Sequence, residues 1–159
     1  ADLRDYLALS KNDKARKHET LRKCYRNGKF FVFFIKLNDH IIFTGSVPSQ
    51  ALPQLYQNAC IFALPSLYEG FGLPIIEAMS YGTPVLTSNQ GSMPEVSGKA
   101  ALLINPEQPH AIARGLEQLL SDQNLAAQLA KLGKTQAQKF SWSKTATDLV
   151  QVLNKITQK

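Results

Sequence analysis

The stretch Glu69-Gly-Phe-Gly-Leu-Pro-Ile-Ile-Glu77 decides the fold of this chain. It follows an apolar run, residues 59–66, and it leads into a second run, residues 74–81, which stops at Gly82. Glycine permits tight turns, and proline is favoured at the start of a helix. The pattern therefore predicts a strand, a glycine-bearing loop and a helix, which is the repeating unit of a parallel α/β sheet.

The loop between this strand and helix has the properties of an anion site. Gly70 and Gly72 let the backbone turn and approach a ligand closely. The N–H groups of residues 71–73 would lie at the positive end of the helix. Glu69 and Glu77 flank the loop, and their carboxylates accept hydrogen bonds from hydroxyl groups. A nucleotide-sugar has a matching layout, because its pyrophosphate lies between the ribose diol and the sugar hydroxyls.

Short apolar runs elsewhere extend the α/β pattern. Runs that are apolar throughout are typical of strands buried on both faces, as in a parallel sheet with helices on both sides. The carboxyl ends of such strands share one edge, so the loop after residue 66 and the turn at residues 91–95 should meet there. The sequence does not decide between a strand and a helix for residues 27–38. The predicted strands are 5–10, 41–44, 59–64, 84–88 and 101–104, and the predicted helices are 13–26, 48–58 and 74–81.

The last third of the chain is predicted to be helical. Pro109 suits a first helical position, and Ser143 can cap the last helix. We expect the apolar stripes of these helices to serve core or interdomain packing. The stripes are Ile112, Leu116, Leu119 and Leu120, then Leu125, Leu129 and Leu132, then Ala146, Leu149, Val150, Leu153 and Ile156.

Length and composition are those of one globular domain of 159 residues, 44% apolar and 19% charged. Most of the net charge of +6 comes from residues 1–40, which carry ten Lys or Arg against five Asp or Glu. Two interpretations of this basic segment stay open: a helix face exposed to solvent, or a surface that contacts an anionic membrane. The sequence carries no nucleic-acid-binding signature, so no nucleic-acid partner is expected. Cys24 and Cys60 have no metal-ligand spacing, which favours reduced thiols and a cytoplasmic location.

The motif resembles the E-x7-E signature of the family 4-like (group 1) retaining glycosyltransferases. The resemblance extends from Asp39 to the C-terminus, and residues 1–38 match poorly. It implies one Rossmann-like half of a GT-B enzyme, a partial donor-binding domain over residues 1–159, with the N-terminal acceptor domain absent from this chain. The matching residues are Glu69, Gly70, Phe71, Gly72, Leu73, Pro74 and Glu77, with flanking blocks at 39–45, 55–59, 82–86, 91–96, 101–106 and 140–142.

The resemblance also implies roles for individual residues. Glu69 would contact the donor sugar and is the candidate catalytic residue, and Glu77 would bind the nucleotide ribose. The backbone of residues 70–73, comprising Gly70, Phe71, Gly72 and Leu73, would approach the pyrophosphate and sugar, and Val47 would lie near the base. Transfer to an unknown acceptor hydroxyl would proceed with retention, with no cofactor and no essential metal.

Two alternatives to such a transferase stay open. The family places an Arg and Lys pair after a first strand that ends in Gly-Arg, and no such segment precedes Asp5. The first alternative is therefore a nucleotide-sugar-binding module without turnover. The second is a non-enzymatic α/β domain that docks through its basic N-terminal segment. If the chain is instead part of such a transferase, it should be weak or inactive alone, because the acceptor domain and the basic pair are both absent from it.

Overall fold

The computed structural model describes residue 42 and residues 44–157. The chain divides into two compact units, residues 1–55 and residues 56–159. In the first unit, the amide of Ala51 donates to the carbonyl of Pro48 at 2.9 Å and closes a 3-10 turn. The predictions for residues 5–10, 13–26 and 27–38, and half of the predicted strand 41–44, lie outside the described residues. The single-domain assignment stays a prediction.

Strands and helices alternate through most of the described chain. Six helices, numbered in chain order, accompany three strands. The elements are the 3-10 turn Ser49–Ala51, α1 (Leu52–Asn58), β1 (Phe62–Leu64), α2 (Leu73–Ser80), β2 (Val85–Ser88), α3 (Met93–Ser97), β3 (Ala101–Ile104), α4 (Pro109–Ser121), α5 (Gln123–Ala137) and α6 (Trp142–Thr157).

The three strands form a parallel sheet in the order β1-β2-β3. In its register Ala63 lies opposite Leu86, and Leu86 lies opposite Leu102. All four residues of β2 are buried, so both faces of this central strand are covered. The predicted α/β architecture with a parallel sheet is therefore confirmed for the described residues.

The main core cluster joins β2 and β3 to α4 and α5. Its buried members are Leu86, Ile104, Leu119 and Leu129. Gly115 in α4 makes this packing close, because a Cβ at that position would lie 2.6 Å from Leu86 Cδ1 and 3.0 Å from Ile104 Cγ2. The helix backbone can thus approach the sheet only where a side chain is missing.

Element boundaries differ modestly from the predictions. β1 begins at Phe62 rather than at residue 59, since its ladder starts where the amide of Phe62 donates to the carbonyl of Pro84. α2 begins at Leu73, which makes Pro74 its second residue. Residues 93–97 form the short helix α3 where the sequence predicts a turn at residues 91–95, because five residues between two glycines carry no periodic signal. Strand 101–104 and the helix start at Pro109 are confirmed.

The last helix departs from the prediction in its cap and in its packing. The side chain of Ser141, rather than Ser143, accepts a hydrogen bond from the amide of Lys144 at 3.1 Å. No residue of α6 is buried among the described residues, so its stripe is not part of the core. Periodicity shows that a helix has an apolar face, but it does not show what covers that face. None of the described helices has the length and apolar character that crossing a membrane needs.

Replacing Gly115 by alanine should destabilise the fold. Alanine is the better helix former, but its methyl group would overlap Leu86, and overpacking of a core costs about 1 to 3 kcal/mol. Urea unfolding followed by circular dichroism measures the change. Ala113→Gly is the matched control on the exposed side of α4, where the glycine variant should be the less stable one by about 1 kcal/mol. A stable Gly115→Ala variant would contradict the close packing.

Candidate functional site

The segment after β1 runs through residues 65–72 and ends just before α2 begins at Leu73; we call it the Glu69 loop. Gly72 is the residue that precedes α2, with φ 93° and ψ 41° in the left-handed region. Its carbonyl accepts a hydrogen bond from the amide of Ile75 at 3.0 Å. A side chain at Gly72 would be strained by the positive φ, and its Cβ would lie 3.2 Å from Ile75 Cδ1. Glycine is therefore strongly favoured where the chain turns into the helix.

Glu69 is held by a neighbour within its own loop. It is half-buried, and its Oε1 accepts a hydrogen bond from Ser66 Oγ at 2.8 Å. The second carboxylate oxygen, Oε2, keeps its capacity to accept hydrogen bonds from a ligand. A carboxylate that is oriented in this way can receive hydroxyl groups without first losing much conformational freedom.

The turn between β2 and α3 braces the Glu69 loop. Ser92 Oγ lies 3.0 Å from the backbone carbonyl oxygen of Glu69 and 3.0 Å from that of Phe71. The single hydroxyl proton of Ser92 thus serves two carbonyls on either side of Gly70. Gly91 approaches the same loop, since a Cβ there would lie 3.9 Å from the amide nitrogen of Glu69. The predicted meeting of these two segments at the carboxyl edge of the sheet is confirmed.

Glu77 lies one turn inside α2 and is exposed. Its Oε2 accepts a hydrogen bond from the Tyr56 hydroxyl at 2.8 Å. The Tyr56 side chain comes from the last turns of α1 and is 9% exposed. Burial, with the hydrogen bond to Glu77 and the negative charge of Glu77, raises the pKa of the Tyr56 phenol above its ordinary range. The phenol therefore stays protonated and donates to the carboxylate throughout the neutral range.

Apolar side chains surround the start of α2. Phe71 and Leu73 are about half exposed, at 47% and 50%. The ring of Phe71 meets that of Phe140 edge-on, with centroids 5.9 Å apart. Phe140 lies between α5 and α6, so the Glu69 loop also contacts the segment that joins these two helices.

The structure brings most of the predicted site residues together. Glu69, Gly70, Phe71, Gly72 and Leu73 form one continuous turn, with Glu77 on the helix that follows. Val47 belongs to the first unit, and its predicted place near a base stays a prediction.

Sequence reasoning missed two residues that contact this site, Tyr56 and Ser92. Both lie in stretches that carry the family resemblance, residues 55–59 and 91–96. Their hydrogen bonds join residues 21 to 23 positions apart, and no local pattern encodes them.

Metal binding finds no support in the side chains that are described. Between residues 44 and 157, and at residue 42, His, Cys, Asp and Glu form no group of three or more that could hold a metal ion. Cys60 is an exposed free thiol. Independence from metals and cofactors stays a prediction.

Comparison with known proteins places this architecture in a family. The family described as glycosyl transferases group 1 matches residues 34–136. The O-antigen chain mannosyltransferase B of Escherichia coli is 44% identical over 110 residues, which cover 69% of this chain and 29% of that protein. The chain therefore belongs to the group 1 glycosyltransferases. The predicted recognition as the C-terminal domain of such an enzyme is confirmed.

Solved structures agree on the fold. Sucrose-phosphate synthase from Thermosynechococcus elongatus superposes with a TM-score of 0.75 at 31% identity, covering 84% of this chain and 34% of that chain. The Anabaena protein HepE, solved in complex with UDP and glucose, superposes with a TM-score of 0.73 at 22% identity, covering 87% and 37%. At 22% identity, the likeness to the Anabaena protein is evidence for the fold alone. Together they confirm the predicted Rossmann-like half of a GT-B enzyme.

The chain spans only part of the curated relatives that it matches, between 13% and 34% of their length. These relatives are longer, which is consistent with the predicted N-terminal domain outside this chain. The activity, substrates and partners of the whole protein are accordingly matters of proposal.

Replacing Ser92 by alanine should loosen the Glu69 loop. Loss of this neutral hydrogen bond should speed amide hydrogen exchange at Ile75, whose amide donates to the carbonyl of Gly72 at the end of the loop, by about twofold to tenfold. Exchange followed by NMR measures the effect residue by residue. Ser121→Ala is the matched control, because it removes a hydroxyl that donates to the carbonyl of Glu117 within α4. Unchanged exchange in Ser92→Ala would show that Ser92 does not brace the loop.

Proposed function

We propose that the Glu69 loop and the first turns of α2 bind a nucleotide-sugar, and that the chain is the donor-binding part of a glycosyltransferase. The observation that carries the proposal is the arrangement of a glycine-bearing turn at a helix start between two tethered carboxylates, Glu69 and Glu77. Family membership supports it. At the level of the fold, the Anabaena neighbour was solved with UDP-glucose.

Each part of the donor has a proposed partner. Glu77 accepts hydrogen bonds from the ribose diol, since carboxylates are strong acceptors for hydroxyl groups. The pyrophosphate lies against the backbone of residues 71–73 at the start of α2, where amide groups and the helix dipole favour negative charge. Glu69 then receives the sugar hydroxyls and is the proposed catalytic residue. Val47 is the proposed neighbour of the base.

The proposed reaction transfers the sugar to an acceptor hydroxyl with retention of configuration. The diphosphate departs as the acceptor attacks, and the main demand on the protein is to stabilise charge on that leaving group. Backbone amides can meet this demand in part without a metal ion. The acceptor would be held by the N-terminal domain, so orientation of the two substrates requires the longer protein.

Binding without turnover is the proposed behaviour of this chain by itself. A cleft enzyme that lacks the wall for its acceptor loses the large rate contribution of orientation. The cytoplasmic location stays a prediction. A membrane contact through the basic N-terminal segment also stays a prediction, because that segment lies outside the described residues.

Titration with nucleotide-sugars should perturb the amides of residues 66–77. NMR shift mapping on the 159-residue chain, with UDP-, GDP- and ADP-sugars, measures this, and a mannosyl donor belongs in the panel because the Escherichia coli relative is named a mannosyltransferase. Weak but saturable binding to this chain alone would still agree with the proposal. Saturable shifts confined to other parts of the chain would refute the site.

The two carboxylates should differ in what they recognise. Glu77→Gln should weaken plain nucleoside diphosphates and nucleotide-sugars alike, by about 1.5 to 3 kcal/mol, because a hydrogen bond to a charged group is lost. Glu69→Gln is the matched substitution and should weaken the nucleotide-sugar while leaving the plain diphosphate unchanged. Calorimetric or NMR affinities for both ligands test this. Equal effects of the two substitutions on the plain diphosphate would overturn the assignment.

A further inference from the structure

Tyr56 is buried and packed against two aromatic rings, whereas Glu77, whose carboxylate it contacts, is exposed. Its ring meets Phe62 edge-on at 5.6 Å between centroids and stacks on Tyr81 at 5.9 Å. Its backbone carbonyl accepts a hydrogen bond from Thr83 Oγ1 at 2.6 Å. Ring packing and this bond anchor the residue to β1 and to the segment that precedes β2.

Glu77, by contrast, is exposed on a helix, where a glutamate side chain has three rotatable bonds. The hydrogen bond from Tyr56 engages Oε2 and restricts these rotations. Oε1 and the remaining lone pair of Oε2 stay available to a ligand. The buried phenol therefore favours one orientation of the exposed carboxylate.

We propose that Tyr56 is a positioning residue that orients the Glu77 carboxylate to receive the ribose diol of the donor nucleotide, an inference that rests on the proposed function. Without Tyr56 the ligand itself must order Glu77. Ordering a side chain with many rotamers on binding costs enough to lower affinity by about twofold to tenfold. Tyr56 touches no substrate in this scheme and acts only through Glu77.

The protonation state of Tyr56 suits this task. A protonated phenol donates its proton to the carboxylate and leaves Glu77 as an acceptor only. The ligand hydroxyls then meet a group that accepts from both of them. Burial of Tyr56, its hydrogen bond to Glu77 and the negative charge of Glu77 all raise the pKa of the phenol and favour its protonated form.

The experiment compares Tyr56→Phe with the unsubstituted 159-residue chain. The ligands are UDP, GDP and ADP, and then the 2′,3′-dideoxy analogue of the diphosphate that binds the unsubstituted chain best. Tyr56→Phe should lower affinity for the ribose form by about twofold to tenfold and leave affinity for the dideoxy form unchanged. Tyr81→Phe, which removes the hydroxyl of the stacked neighbour, is the matched control and should leave both affinities unchanged.

A purely structural role of Tyr56 would lower both affinities equally, and this result would overturn the proposal. Equal affinities in the variant and the unsubstituted chain would overturn it as well. Failure of the unsubstituted chain to bind any diphosphate at residues 66–77 would instead refute the proposed function. The Glu77→Gln background gives a second test, since Tyr56→Phe should cause no further loss there.

A measurement without substitution covers the case in which Tyr56→Phe fails to fold. With carbon-13-labelled tyrosine, the ζ-carbon signal of Tyr56 should report a protonated, hydrogen-bonded phenol both before and after the ribose diphosphate binds. Loss of that hydrogen bond in the complex would overturn the proposal, because Tyr56 would then not orient Glu77 in the bound state.

Discussion

The burial of β2 on both faces is the constraint on which the rest of the described structure depends. All four of its residues are inaccessible to solvent, and β1 and β3 pair with it in parallel. Parallel pairing places the carboxyl ends of the strands at one edge. The Glu69 loop and the turn that holds Ser92 therefore emerge side by side, and one hydroxyl can bridge them. The close approach of α4 at Gly115 covers Leu86 of β2 and Ile104 of β3 in the core.

The two carboxylates of the site, Glu69 and Glu77, are each oriented by a hydrogen bond from a hydroxyl group. Ser66 fixes Glu69 from within the same loop, whereas Tyr56 fixes Glu77 from another helix. Both bonds leave acceptor capacity on the carboxylate. Side chains that are ordered before a ligand arrives lose less entropy on binding, so affinity rises without additional contacts. The site thus consists of polar groups that the fold orients, on a turn whose positive φ at Gly72 favours glycine.

Family membership and residue chemistry answer different questions about this chain. Membership in the group 1 glycosyltransferases follows from the family match over residues 34–136. What the site binds has to come from its own geometry, because a fold hosts many functions. The exposed apolar face of α6 shows that helical periodicity alone does not reveal whether a face is buried. Its periodicity resembles that of α4, yet α4 buries Leu119 and α6 buries none of its residues.

Sequence alone determined the elements whose signals are local. The glycines of the Glu69 loop, Pro109 at the start of α4 and the apolar run of β3 identify their elements, because backbone conformation and burial are written in neighbouring residues. It determined the family as well. Tertiary structure alone decided that Tyr56 donates to Glu77 and that Ser92 bridges Glu69 and Phe71. These contacts depend on how the sheet register and helix packing bring distant residues within 3 Å, and no short pattern specifies that distance.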